Sequence, residues 1–230
     1  MSKLIVAIDV TGSHGSIALV SETGVVEEVQ LNSPEGFAQT LIGELDAMLQ
    51  RAGVSVQDLA AFASASGPGS FTGVRIGLIA VKGLAEAAGR PAITVSNLQA
   101  LASFGVGERR AVAIDARRGE IYGAVYNAAL ECVQEEIVIG LDSWLAQQGQ
   151  DAEFVVLTCL TDADRTILAA LPQDRTTSAP RAIAGAIGKI AWDRLRRGLV
   201  QDPAEIDANY VRRSDAEMLW HDPRAVKLAL

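Results

Sequence analysis

The sequence is poor in the residues from which active centres are usually built. It has two histidines and two cysteines in 230 residues, and aromatics make up 5% of the chain. His14 and His221 are too far apart in sequence to form the i, i+4 pair with which one helix face grips a metal, so surface or capping roles are expected of both. Cys132 and Cys159 share neither a zinc-type nor a redox-type spacing and read as two reduced thiols buried in strands. No apolar run approaches the roughly 20 residues of a membrane helix. The first nine residues are strand-like, where a leader would carry a charged and then an apolar stretch. Both features predict a cytoplasmic chain with no membrane partner. Basic residues are scarce too. The formal net charge is −8, and the one dense basic cluster is Arg194, Arg196 and Arg197, with Arg212 and Arg213 further on. A protein that neutralises many phosphates by itself carries a basic face, so independent capture of nucleic acid is not expected. Cations ending a helix complement its dipole, the plainer role for that cluster.

What is present is a globular composition, 49% hydrophobic and 21% charged, in a chain long enough for one large domain or two lobes. Val6-Ala7-Ile8-Asp9 recurs letter for letter as Val112-Ala113-Ile114-Asp115, 106 positions later. After the first copy come strand-like runs at 16–21 and 25–31, and after the second at 120–126 and 130–139, each pair split by turn residues. The shared rhythm predicts a duplication. Asn32-Ser33-Pro34 reads as a helix start, and Phe37, Leu41, Leu45, Met48 and Leu49 follow at helical spacing as one buried stripe. Strands are predicted at 59–66 and 92–95, with helices at 72–88 and from 96 to 103. Gly89 and Pro91 supply the stop chemistry for the longer helix. The second copy thins to a strand at 154–160, a short helix near 162–170 and a long helix at 180–197. Two α/β lobes are expected, residues 1–103 and an abbreviated 104–230, with the late helix able to pack back on the first.

Gly67-Pro68-Gly69-Ser70-Phe71-Thr72-Gly73-Val74-Arg75-Ile76-Gly77 is the most distinctive stretch. Its glycines permit a tight loop leaving a strand, and Ser70 or Thr72 can cap the next helix. It lacks the Gly-Lys-Ser/Thr of a phosphate-binding P-loop, and Pro68 breaks any Gly-x-Ser-x-Gly elbow. A strand-to-helix connection is the simpler reading beside an anion site at the helix start. The helix it opens has two apolar faces, one of Val74, Leu78, Val81 and Ala85, the other of Ile76, Ile79, Gly83 and Ala87. A helix covering one sheet needs only one. The second face means full burial or a partner, and a helix-to-helix protein interface is favoured.

The repeated β-β-β-α-β-α order resembles the superfamily of actin, sugar kinases and heat-shock chaperones, an α/β class of duplicated ribonuclease H-like lobes with mixed sheets flanked by helices. That likeness implies ATP between the lobes, phosphates cradled by the hairpin after each first strand, and an acidic residue there for magnesium. The block from Gly67 to Gly77, followed by Lys82-Gly83-Leu84-Ala85, is similar to the signature of the TsaB (YeaZ) family. Val6–Asp9, the run from Asp115 to Tyr122 and Tyr210-Val211-Arg212 lie where that family has like segments. The resemblance implies an accessory, non-catalytic subunit in making N6-threonylcarbamoyladenosine beside the tRNA anticodon. Its implied partners are the transferase TsaD, the ATPase TsaE and a second copy of itself, with tRNA met only through the complex. ATP and magnesium are implied for the complex, with none held stably by this chain alone. The first-lobe helices are implied as the docking surface, through Leu41, Leu45, Met48, Arg75, Ile76, Leu78, Ile79, Lys82 and Gly83. Asp9, Thr11, Gly12 and Asp115 would mark a vestigial nucleotide site. The family commonly reads Asp-Thr-Ser after the first strand, and Val10 here carries no hydroxyl. The hairpin turn after Asp115 is bulky where phosphate cradles need glycine. The acidic net charge suits a basic partner. A weak ATPase or small-molecule kinase is the alternative, and a direct tRNA-binding module a third reading.

Overall fold

The computed structural model describes residues 3–32, 36–157 and 162–211. Three strands, β1 (Leu4–Asp9), β2 (Gly15–Ser21) and β3 (Gly24–Leu31), run as an antiparallel meander. β4 (Leu59–Ala65) and β5 (Ala92–Val95) then join in parallel, reached through helices α1 (Leu41–Ala52) and α2 (Phe71–Ala88). The strand order is β3-β2-β1-β4-β5. The second half repeats it with β6 (Arg109–Asp115), β7 (Glu120–Asn127), β8 (Cys132–Gly140), β9 (Ala152–Leu157) and β10 (Thr176–Ala179), ordered β8-β7-β6-β9-β10. Antiparallel and parallel pairings fall at the same places in both sheets. The four-letter repeat is thus the first strand of two copies of one actin-like unit.

Alternation along β1 places the helices. Val6, Ile8 and Val10 join a core under α1 and α2, while Ile5 and Ala7 face the opposite layer. That layer is α6 (Ala184–Arg196), a helix of the second half lying on the first sheet through Ala184, Ile187, Ala191 and Trp192. In return α3 (Asn97–Ala102), from the first half, lies on the second sheet through Leu98, Leu101 and Ala102. The far face of the second sheet is covered by α4 (Leu141–Leu145) and α5 (Asp162–Ala170), where Trp144 and Ile167 enter its core. The two halves therefore exchange a helix across the middle of the molecule.

Local departures from the sequence reading have local causes. The first helix begins at Leu41, because the Phe37 carbonyl accepts from the Thr40 and Leu41 N–H groups and closes a turn first; Ser33 and Pro34 lie outside the described residues. The late helix begins at Ala184 and not at 180. Its first N–H groups are met from the first lobe, Ala184 N donating to Ser16 Oγ (3.0 Å) and Gly185 N to Glu28 Oε1 (2.8 Å). Cys132 is exposed, since it opens the edge strand of the second sheet; Cys159, His221, Arg212 and Arg213 lie outside the described residues. No helix among the described residues is long and apolar enough to cross a membrane.

Candidate functional site

The end of β1 is the first place to look for chemistry. Asp9 is buried, and its Oδ1 accepts from Thr11 N (3.0 Å), Thr11 Oγ1 (2.6 Å) and Asn97 Nδ2 (3.4 Å). Asn97 Nδ2 also donates to Thr11 Oγ1 at 2.6 Å, and Asn97 Oδ1 accepts from Gly67 N at 3.0 Å. One small network thus ties the β1 turn, the start of α3 and the glycine-rich loop together. Burial raises the Asp9 pKa above the ordinary carboxylate value, against the lowering effect of these hydrogen bonds. Asp9 acts here as a turn brace.

The glycines of the 67–77 block complete the closure. An added Cβ would meet Thr11 O at 2.6 Å from Gly69 and Val10 O at 2.1 Å from Gly73, and Ser64 Oγ at 3.0 Å from Gly77. Spaced four apart, they let the start of α2 lie directly on the Val10–Thr11 backbone. Ser70 N donates to Thr11 O at 2.6 Å, and Ser70 Oγ accepts from Gly73 N as the helix cap. The block is a close-packing device between α2 and β1. Thr11 is buried within it and Gly12 is exposed on the turn beyond.

Asp115 occupies the matching position in the second lobe and accepts from Arg117 N at 2.9 Å. Arg117 and Arg118 adopt positive φ (64° and 57°), followed by Gly119 at 77°, a tight left-handed turn. Asp115 borders a cavity of about 580 Å³ with Arg117, Arg118, Asp142 and Thr166, and Asp9 is not among its walls. The four residues of the expected nucleotide site are therefore not gathered around that cavity. Among the described residues no three His, Cys, Asp or Glu side chains form a metal-holding group. His14 sits on the β1–β2 turn with Nδ1 3.4 Å from Asn32 Oδ1.

The second place is the outer side of α2. Its inner face is buried: Val74, Leu78, Val81 and Ala85 lie in the first-lobe core, Leu78 at 5% exposure. The next residue along, Ile79, is 68% exposed. Phe71, Arg75, Ile79 and Gly83 form an exposed stripe at intervals of four, flanked by half-buried Ile76 and Lys82. Of the residues expected to dock a partner, Leu41, Leu45, Met48 and Leu78 are corrected by this geometry. They point into the sheet and are closed off by their own lobe. The α1 stripe is buried as its spacing predicts, so its core side holds Leu41, Leu45 and Met48, and its outer side presents Ile42, 53% exposed.

Sequence reasoning missed the C-terminal strap that joins this stripe. After α6 the chain pairs with β5 through Ala92 and Gln201, buries Ile206, and brings Tyr210 onto α2. Arg75 Nε donates to Tyr210 Oη (3.1 Å), the Arg75 guanidinium lies 3.8 Å over the Phe71 ring, and the two rings are 5.7 Å apart. Lys82 Nζ donates to Ala204 O at 3.2 Å. An i, i+4 aromatic–arginine pair was visible in the sequence, whereas its partner 135 positions away was not. Arg194 was also underread. Beyond ending a helix it donates to Thr94 O and, at 2.7 Å, to Gln99 Oε1, bridging α6 to β5 and α3.

The model of the family described as "TsaD: tRNA N6-adenosine threonylcarbamoyltransferase" matches residues 32–220. The chain is 39% identical over 126 residues to the tRNA threonylcarbamoyladenosine biosynthesis protein TsaB of Escherichia coli strain K12, covering 53% of this chain and 54% of that one. It is 34% identical over 146 residues to TsaB of Bacillus subtilis strain 168, covering 61% and 64%. The matched segments thus span about half to two thirds of these relatives' length. Among solved structures, YeaZ from Pseudomonas aeruginosa superposes with a TM-score of 0.75 at 28% identity, covering 90% of this chain and 99% of that one.

Proposed function

Since the chain belongs to the TsaB (YeaZ) family, we propose that it is a non-catalytic partner subunit in the synthesis of N6-threonylcarbamoyladenosine in tRNA, docked on a TsaD-type transferase through the outer stripe of α2. The observation that carries this reading is the split character of that helix. Leu78 is 5% exposed and Ile79 is 68% exposed, although both are large aliphatic residues on a helix that needs only one apolar face for its own lobe. Arg75, Phe71 and Tyr210 extend the apolar strip with a fixed cation, the mixture favoured at protein interfaces. In the absence of the transferase the same stripe serves self-association. A TsaE-type ATPase joins the assembly, and tRNA is met through it.

The end of β1 supports the non-catalytic part. Asp9 Oδ1 already accepts three hydrogen bonds and Val10 lacks the first hydroxyl of Asp-Thr-Ser, and both weigh against a resident magnesium nucleotide. The ATP and magnesium needed by the complex belong to its other subunits. The test is chromatography with mass detection of this chain alone and mixed with the transferase, for wild type and Ile79→Glu. Wild type is expected to co-elute; the variant is expected to keep its melting temperature and elute alone. Co-elution of Ile79→Glu at wild-type strength overturns the docking surface, and ATP turnover by the purified chain alone overturns the non-catalytic role.

A further inference from the structure

One carboxylate of the second sheet, Glu136, holds the strap that carries Tyr210 onto the outer stripe of α2. Glu136 lies in β8 at a bulge, where Glu135 and Glu136 together stand opposite Ala124 of β7. A bulge re-aims the side chain it carries, and Glu136 points toward the first lobe. Its Oε1 accepts from Tyr126 Oη at 2.6 Å and from Ser96 Oγ. Ser96 is the junction between β5 and α3, and its oxygen caps that helix from Leu98 N and Gln99 N. The other oxygen, Oε2, accepts from Asn209 Nδ2 at 2.6 Å. Asn209 is itself anchored to the first lobe, its backbone N–H donating to Ser66 O at 2.8 Å. Tyr210, the next residue, packs on Phe71 and hydrogen-bonds Arg75. Burial and the adjacent carboxylate push the Tyr126 pKa up, so its hydroxyl stays a donor at neutral pH.

From this arrangement we infer that Glu136 is an interlobe latch. Its two oxygens fasten the second-lobe edge strand to the β5–α3 junction on one side and to the C-terminal strap on the other, and the strap fixes Tyr210, Phe71 and Arg75 on the outer stripe of α2. Rotation of the lobes that draws β8 away from Ser96 pulls on Asn209 and releases Tyr210, freeing Arg75 to turn elsewhere. The shape of the stripe thus depends on the lobe angle, although the stripe belongs to the first lobe. Only the last step, from strap to partner affinity, rests on reading α2 as the docking face.

The polarity of the latch supplies its test. Glu136→Gln keeps one oxygen for Tyr126 and Ser96 and offers an amide N–H to Asn209, whose own amide can flip to accept it, so this variant serves as the control. Asn209→Asp sets carboxylate against carboxylate. The double variant E136Q/N209D restores donor against acceptor with the roles exchanged. Amide hydrogen exchange of the full chain, followed at residues 206–210 and at β1, reads the outcome. Asn209→Asp is expected to speed exchange in the strap roughly fivefold, about the worth of one hydrogen bond, with β1 unchanged and both Glu136→Gln and the double variant close to wild type. Unchanged strap exchange in Asn209→Asp overturns the latch. So does faster exchange throughout the chain, or a double variant that stays loose. Transferase affinity, measured on the same variants, is expected to fall in Asn209→Asp and recover in the double. If the strap loosens and recovers while affinity stays constant, the latch stands and α2 is not the docking face.

Discussion

Neighbouring residues on α2 answer to different environments, and substitution separates them. Leu78 and Val81 lie in the core with Ile8 and Phe62. Leu78→Glu or Val81→Glu would therefore unfold the lobe and could not report partner binding selectively. A cost of about 3 kcal/mol or more is expected, from lost packing and a buried charge, seen as loss of soluble protein or a lowered urea midpoint. Ile79→Glu should stay within about 0.5 kcal/mol of wild type, as exposed substitutions do. Asp9 gives a second residue-scale prediction. Its folded pKa is raised above the ordinary 3.8, chiefly by burial, so the folded state holds a proton that the unfolded state has lost. Stability should therefore fall as pH rises from about the ordinary value through the raised one, and ionised Asp9 is a burden at neutral pH. Asp9→Asn keeps an oxygen for the Thr11 donors and removes the charge. Urea melts across pH 4 to 8 are expected to lose that fall in the variant and to place it above wild type at neutral pH. A variant less stable at every pH would show that the charge is needed where it stands.

At the scale of elements, the glycines of α2 divide as its aliphatic residues do. Gly73→Ala would drive a Cβ to 2.1 Å from Val10 O, and a backbone oxygen at a strand end has nowhere to retreat. About 2–3 kcal/mol of destabilisation is expected from that overpacking. Gly83→Ala has nothing within 4 Å of its new methyl, and replacing an interior helix glycine should stabilise by about 1 kcal/mol. Thermal melts of the two variants should move in opposite directions, and a tolerated Gly73→Ala would mean that α2 is not seated on β1 as described. These contrasts show where the sequence was legible. Strand rhythm, the Gly89 stop of α2 and the periodic burial of Leu41, Leu45 and Met48 are local signals, and they foretold the strands and α2 within a few residues, while the start of α1 was placed too early. Side-chain direction was legible only where one face was needed. On α1, helical spacing marked a buried stripe and the core took it, while naming Leu41, Leu45 and Met48 as partner-facing ran against that spacing. The start of α6 was hidden because its capping oxygens come from Ser16 and Glu28, more than 150 positions away. The strap was hidden for the same reason, since nothing local foretells that Ile206 is buried or that Tyr210 meets Phe71.

On the scale of the whole molecule, the boundary near residue 103 that the repeat suggests divides the sequence more cleanly than it divides the fold. Each sheet is covered on its inner side by a helix from the other half, α6 on the first and α3 on the second. The contact is close: a Cβ on Gly188 would stand 2.4 Å from a methyl of Val20. Without α6, one whole face of the first sheet, including Ile5, Ala18, Val20 and Ile93, would meet water, and an apolar patch of that kind drives collapse or aggregation. The exchange also limits how far the lobes can turn, since any rotation must keep α6 on the first sheet while the chain that enters it from β10 stays tied to the second. A fragment of residues 1–103 is therefore expected to lack a cooperative thermal transition and to bind a hydrophobic dye. Co-expression with residues 180–211, which carry α6 and most of the strap, should restore a sharp melt. If the fragment alone melts cooperatively, α6 is an ornament on a self-sufficient lobe, and the strap loses its claim to be part of the architecture that shapes the outer face of α2.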